Sequence, residues 1–199
     1  EEAPGGAKKV LETGLLDEVE ALFGLHSSPL FPVGTAAFHE GAVTAAVDRF
    51  NISFHGKGTH AAHPQQGIDP IICTAAFVSA VQTIVSRNVD PFAADLISIT
   101  HIEGGNTWNV IPESAFVEGT TRSLQPADRT QLKTRLFELA EHTAKAYGCT
   151  AKIQWFAGPP ATANAAEWTS LARDEAAAAG FTLADSPASL GGEDFAYFQ

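Results

Sequence analysis

The sequence predicts an α/β domain interrupted by an inserted α+β segment of ferredoxin-like type, and three observations predict it. Charge is unevenly spread: residues 1–45 carry seven acids against two bases, residues 46–157 ten against nine, and residues 158–199 six against one. The balanced middle, 46–157, reads as an insertion, and the acidic flanks, 1–45 and 158–199, as parts of one interrupted domain. The middle also shows the element order β-α-β-β-α-β. The flanks alternate helical patterns with short apolar runs, as at the edge of an α/β sheet.

The elements follow in order. Ala7 to Val19 is helical in pattern, and Ala21 to Leu25 is a short apolar strand that delivers His26 at its C-terminal tip. Phe50, Ile52 and Phe54 alternate with polar residues, a strand buried on one face. Asp69-Pro70 supplies an N-cap and a proline at the first helical position, and Ile71, Ala75, Val78 and Val85 mark a helical face running to about Arg87. Leu96 to Ile102 reads as a strand, Gly104-Gly105-Asn106 breaks it, and Ser114 to Arg122 forms the next. Pro126 to Tyr147 is an amphipathic helix with Leu132, Leu136, Leu139, Ala140 and Thr143 on its face and Gly148 as its stop. Ala151 to Phe156 closes the middle segment as a strand. Beyond it, Glu167 to Ala179 is a helix capped by Gly180, Phe181 to Leu183 a strand, and Gly191-Gly192 a turn.

Composition narrows the function. With 45% hydrophobic and 18% charged residues, the chain of 199 residues packs a core. Its net charge of −11 argues against nucleic acid or an anionic membrane surface as partner. The apolar runs fall short of the roughly 20 residues a membrane helix needs. Two cysteines and no signal-like start point to free thiols in a reducing, cytoplasmic setting. The lack of methionine and the start on Glu1-Glu2 read as part of a longer protein.

Several stretches carry candidate chemistry. Glu1 and Glu2 are adjacent carboxylates that point in different directions, so one can bind a metal while the other handles a proton; the alternative is an exposed charged terminus. His26 is either a ligand at a strand tip or a structural histidine. In Gly56-Lys57-Gly58-Thr59-His60-Ala61-Ala62-His63-Pro64 the glycine spacing is wrong for a phosphate loop. His60 and His63 have no nearby acid and match a metal site weakly, whereas an imidazole that steadies an oxyanion fits better. Gly104 to Asn109 offers amide donors for the same task or a plain hairpin turn. Arg122 shares a strand face with Glu118 and Thr120, and either pairs with Glu118 or clamps a carboxylate. Gly191-Gly192-Glu193-Asp194-Phe195 is an acidic turn or a loop lining a site.

Taken in sequence, the segments Glu1-Glu2, Phe23-Gly24-Leu25-His26, Gly56 to Pro64, Gln82 to Pro91, Gly104 to Pro112, Glu118 to Arg122 and Gly191 to Phe195 resemble one family along the whole chain. It is the metal-dependent amidohydrolases that include hippurate hydrolase, N-acyl-amino-acid amidohydrolases, N-acetyldiaminopimelate deacetylase and the plant auxin-conjugate hydrolases. The resemblance implies a metal-dependent hydrolase that cleaves the amide bond of N-acyl amino acids. It implies a catalytic domain holding two divalent metal ions (zinc, manganese, nickel or cobalt), with 46–157 as a lid that mediates homodimerisation. By position, Glu1 is the implied general base, Glu2 and His26 are implied metal ligands, and His60, Asn109, Arg122, Gly192 and Glu193 are implied substrate-binding residues. His60 reaches the partner subunit's site on this reading. A Cys-x-His pair upstream of Glu1 and a further histidine beyond Phe195 are implied to lie outside these 199 residues, which alone would be inactive. Two rivals remain: a metallo-exopeptidase or dipeptidase with the same core, and a non-catalytic dimerisation module that has lost the metal site.

Overall fold

The computed structural model describes residues 5–199, so Glu1 and Glu2 lie outside the described residues. By internal packing the chain divides into two units, Glu1–Val47 with Gly158–Gln199, and Asp48–Ala157.

In chain order the elements are α1 (Ala7–Leu11), β1 (Thr35–Phe38), β2 (Gly41–Thr44), β3 (Ala46–His55), β4 (Thr59–His60), α2 (Pro70–Asn88), β5 (Leu96–Gly104), β6 (Val110–Ile111), β7 (Ser114–Ser123), α3 (Pro126–Ala146), β8 (Thr150–Ala157), β9 (Thr162–Asn164), α4 (Ala166–Ala178) and β10 (Thr182–Asp185). Short 3₁₀ turns occupy Pro64–Gln66 and Asp194–Phe198.

In the first unit β1 pairs in parallel with β10, from Thr35 opposite Thr182 to Phe38 opposite Asp185. A parallel pair needs a crossover, so this unit has α/β character. β2 pairs antiparallel with β9, where the Thr44 hydroxyl donates to the Thr162 hydroxyl at 2.8 Å. Two sequence expectations need correction. The first helix ends at Leu11 rather than Val19: the Thr13 hydroxyl donates to the Val10 carbonyl at 2.6 Å, and Gly14 takes φ +70°, which turns the chain. Leu15 is 79% exposed, so no buried face rewards further helix. The strand expected over Ala21–Leu25 is absent, because the run finds no partner strand and leaves Leu25 93% exposed.

The second unit is a four-stranded sheet in the order β5-β7-β3-β8, with the sequence β3-α2-β5-β7-α3-β8 around it. That is the ferredoxin-like arrangement. β3 pairs antiparallel with β8, and β5 antiparallel with β7. Phe50, Ile52 and Phe54 of β3 are fully buried beneath the two helices, against Phe77, Val81 and Ile84 of α2 and Leu132, Leu136 and Ala140 of α3. The α2 face differs from the expected one. Cys73, Phe77, Val81 and Ile84 point inward, whereas Ile71 is 41% exposed. α2 is apolar on several sides, so periodicity alone does not choose its stripe. For the same reason α2 is long and apolar enough to cross a membrane by length and composition, contrary to expectation, yet its inner stripe is packed in the core of this unit.

The helix ends follow their local chemistry. Asp69 accepts from the Ile71 amide at 2.8 Å, with Pro70 behind it. At the end of α3, Gly148 takes φ +74°, and the Cys149 amide reaches back to the Ala144 carbonyl at 2.8 Å. This seats Cys149 near Cys73. Both thiols are free and buried; burial, with Cys149 beside it, pushes Cys73 up to about 12. Such thiols are packing groups rather than nucleophiles.

Asp95, just before β5, is 8% exposed, and its oxygens have no hydrogen-bond partner among the described residues. Burial first, and the Asp128 carboxylate second, raise its pKa from 3.8 to about 6, while the nearby Leu124 amide opposes part of the rise. The folded state therefore holds this proton more tightly than the unfolded chain. Stability is predicted to fall by about 2–3 kcal/mol as pH rises from about 4 to about 6, and to lose no more through Asp95 above that. Asp95→Asn should remove the slope and raise the urea midpoint at neutral pH; an unchanged midpoint would refute the prediction.

Candidate functional site

In the first unit three distant stretches meet. His26 Nε2 lies 2.7 Å from Glu193 Oε2, with the imidazole 82% exposed and the carboxylate 17% exposed. Glu193 Oε1 also accepts from the Phe195 amide at 3.2 Å, capping the 3₁₀ turn that follows. Its neighbour Asp194 accepts from the amides of Gly6 at 2.6 Å and Ala7 at 2.9 Å. Those donors, Ala7 first, hold the Asp194 carboxyl below the usual carboxylate range. The Glu193-Asp194 pair thus ties down both His26 and the segment just after Glu1-Glu2. Gly192 immediately precedes Glu193, in a loop that the Gly191 carbonyl anchors by accepting from the Ala45 amide at 2.9 Å.

His26 reaches this place from a coil, not from the expected strand tip; its hold is the contact with Glu193. Among the described residues no group of three or more His, Cys, Asp or Glu side chains could hold a metal ion. One imidazole and one carboxylate are less than a binuclear site requires, so the described residues do not by themselves fit a metal pair.

In the second unit β4 and β6 form a separate two-stranded ribbon, with Thr59 opposite Ile111 and His60 opposite Val110. The Ala61 amide donates to the Asn109 carbonyl at 2.9 Å, so the chain segments bearing His60 and Asn109 run side by side. The His60 Nδ1 accepts from the Ala62 amide at 3.0 Å, and the His63 ring sits 5.9 Å away. The Thr107 hydroxyl donates to Asn109 Oδ1 at 3.3 Å.

Arg122 belongs to the four-stranded sheet rather than to this ribbon, and stands opposite Leu96 of β5. Glu118 on the same strand faces Arg49 at 3.6 Å and His101 at 3.7 Å, a network among side chains that are partly exposed. Three contacts are not evident from the sequence. Thr107 is two residues from Asn109, the spacing at which a hydroxyl reaches a local side chain, so that signal was present. Asp194 sat inside a noted motif, but its amide partners lie 187 and 188 positions away. The pairing of Asp48 with Arg129, 81 positions apart, left no local trace.

Residues 39–148 match the family model of the M20 peptidase dimerisation domain. The chain is 44% identical over 198 residues to an N-acetyl-L-cysteine deacetylase of Bacillus subtilis, covering 100% of the chain and 48% of that protein. It is 42% identical over 151 residues to an N-acetyldiaminopimelate deacetylase of Listeria innocua, covering 75% of the chain and 41% of the relative. A solved Bacillus subtilis structure described as a dinuclear metal-binding peptidase of the M20 family superposes with a TM-score of 0.83 at 37% identity, over 98% of this chain and 49% of that one. The chain thus spans about half the length of the relatives it matches.

Proposed function

We propose, from the premise that this chain belongs to the M20 peptidase dimerisation-domain family, that the protein hydrolyses the amide bond of N-acyl amino acids to a carboxylic acid and an amino acid. The observation that carries this reading is the 44% identity to an N-acetyl-L-cysteine deacetylase across the chain, both units included. Residues 1–45 and 158–199 are assigned to the catalytic domain and 46–157 to the lid. Glu1 takes the proton of the attacking water and returns it to the leaving amine. Glu2 and His26 would be two of the ligands of a pair of divalent metal ions, a use supported by the dinuclear relative. A mixed His/carboxylate set suits zinc, manganese, nickel or cobalt. Gly192 and Glu193 border the substrate, Glu193 also holding His26 in orientation, His60 and Asn109 bind the substrate's oxygens, and Arg122 holds its carboxylate.

Homodimerisation through the lid belongs to the same reading. β5 is an edge strand of its sheet. Alongside it Ile71 of α2 and Ile102 of β5 are exposed, around a cleft lined also by Thr74, Ala75, Glu103, Gly104 and Ala115. An unpaired edge beside apolar side chains is what a second copy would cover.

The test is amino-acid release by the protein expressed from its complete reading frame, compared across N-acetyl amino acids, hippurate and dipeptides. The expected result is a kcat/KM at least about tenfold higher for the N-acyl substrates. Preference for dipeptides would favour the exopeptidase reading, and no turnover of either class would favour a non-catalytic module.

A further inference from the structure

We infer that two local hydrogen bonds set the β4–β6 ribbon up as a pair of donors: the Ala62 amide fixes His60 as its Nε2–H tautomer, and the Thr107 hydroxyl turns the Asn109 carboxamide so that its NH₂ group is left to donate. Thr107 and the Ala61-Ala62 turn are thereby positioning elements acting through His60 and Asn109.

A neutral imidazole has one donor nitrogen and one acceptor nitrogen. The Ala62 N–H is aimed at His60 Nδ1 over 3.0 Å, so the lone pair sits on Nδ1 and the hydrogen on Nε2. The turn that brings this amide into place is itself braced. The His63 amide donates to the His60 carbonyl at 2.8 Å, and the Ala61 amide to the Asn109 carbonyl at 2.9 Å. On the other strand, Asn109 Oδ1 accepts from Thr107 Oγ1, which engages the carbonyl end of the carboxamide and presents the opposite end as donor. The ribbon also pairs His60 with Val110, so the two elements are held in one register.

Each of these donors suits an acceptor oxygen, such as the carbonyl or carboxylate of an N-acyl amino acid, and disfavours a substrate ammonium group. In that last step the inference rests on the proposed hydrolysis; the tautomer and the Thr107 contact do not depend on it.

The test uses the protein expressed from its complete reading frame. With ¹⁵N-labelled histidine, the His60 resonance, identified by its loss in His60→Gln, should show the Nε2–H tautomer at neutral pH. An Nδ1–H tautomer would overturn the His60 half. Binding of a ketomethylene analogue of an N-acetyl amino acid, which cannot be hydrolysed, is then titrated against that resonance. Thr107→Val should weaken binding about three- to tenfold, and raise KM for the amide substrate alike with kcat within about twofold. Thr107→Ser should restore both. Unchanged binding in Thr107→Val, or a Ser variant as weak as Val, would overturn the Thr107 half. Tight binding and the expected variant effects without turnover would instead defeat only the proposed hydrolysis.

Discussion

Arg129→Leu is expected to destabilise the Asp48–Ala157 unit by about 2–4 kcal/mol. Asp48 enters the sheet on β3 with its side chain 1% exposed, and Arg129 in the first turns of α3 meets it with a two-point fork. Nε donates to Oδ2 at 2.8 Å and Nη2 to Oδ1 at 2.5 Å. A carboxylate withdrawn from water is costly, and the fork offsets that cost only while both partners are present. Breaking a fully buried pair costs about 3–5 kcal/mol, but the Arg129 side chain is 24% exposed, so water screens part of the loss. The double replacement Asp48→Leu with Arg129→Leu should be less destabilised than Arg129→Leu alone, since it leaves no buried charge behind. Urea unfolding of the three proteins, followed by circular dichroism, reads both statements. A loss below about 1 kcal/mol in Arg129→Leu would show that the pair behaves as a surface contact.

The Asp48–Arg129 pair also shows why the fold was more legible than its anchors. Phe50, Ile52 and Phe54 alternate along ten residues of β3, and that period survives folding because one sheet face is buried. Asp69-Pro70 and Gly148 act within a few bonds of themselves, so they could be read in place. The stripe of α2 could not, because Ile71, Ile72 and Ala75 are as apolar as Cys73 and Val81, and only the sheet decides which go inside. β1 and β2 were missed for a related reason: each is four residues long and half-buried throughout, with no period to detect. At the site, His60 and Asn109 stood out as residue types, but their adjacency depends on a two-residue ribbon closed by backbone bonds. His26 was found for a reason that does not hold. It is placed by a carboxylate 167 positions away, not by the end of a strand.

Glu1→Gln, in the protein expressed from its complete reading frame, is expected to lower kcat about 10²–10⁴-fold while leaving KM within about threefold. Glutamine keeps the size and much of the hydrogen bonding of glutamate, yet it cannot take a proton from water at neutral pH. The loss should therefore fall on the chemical step. A bare fall in kcat would also follow if Glu1 were a metal ligand, so metal content must be measured on the same sample. The proposed roles give one of the two adjacent carboxylates to the proton and the other to the metal. On the proposed division of roles, Glu1→Gln retains bound metal and Glu2→Gln loses it. The opposite pattern would exchange the two assignments, and turnover of Glu1→Gln within a few-fold of the parent would remove the base from Glu1 altogether. Neither outcome depends on which N-acyl group is preferred, because on the proposed hydrolysis proton transfer from water is common to every amide substrate.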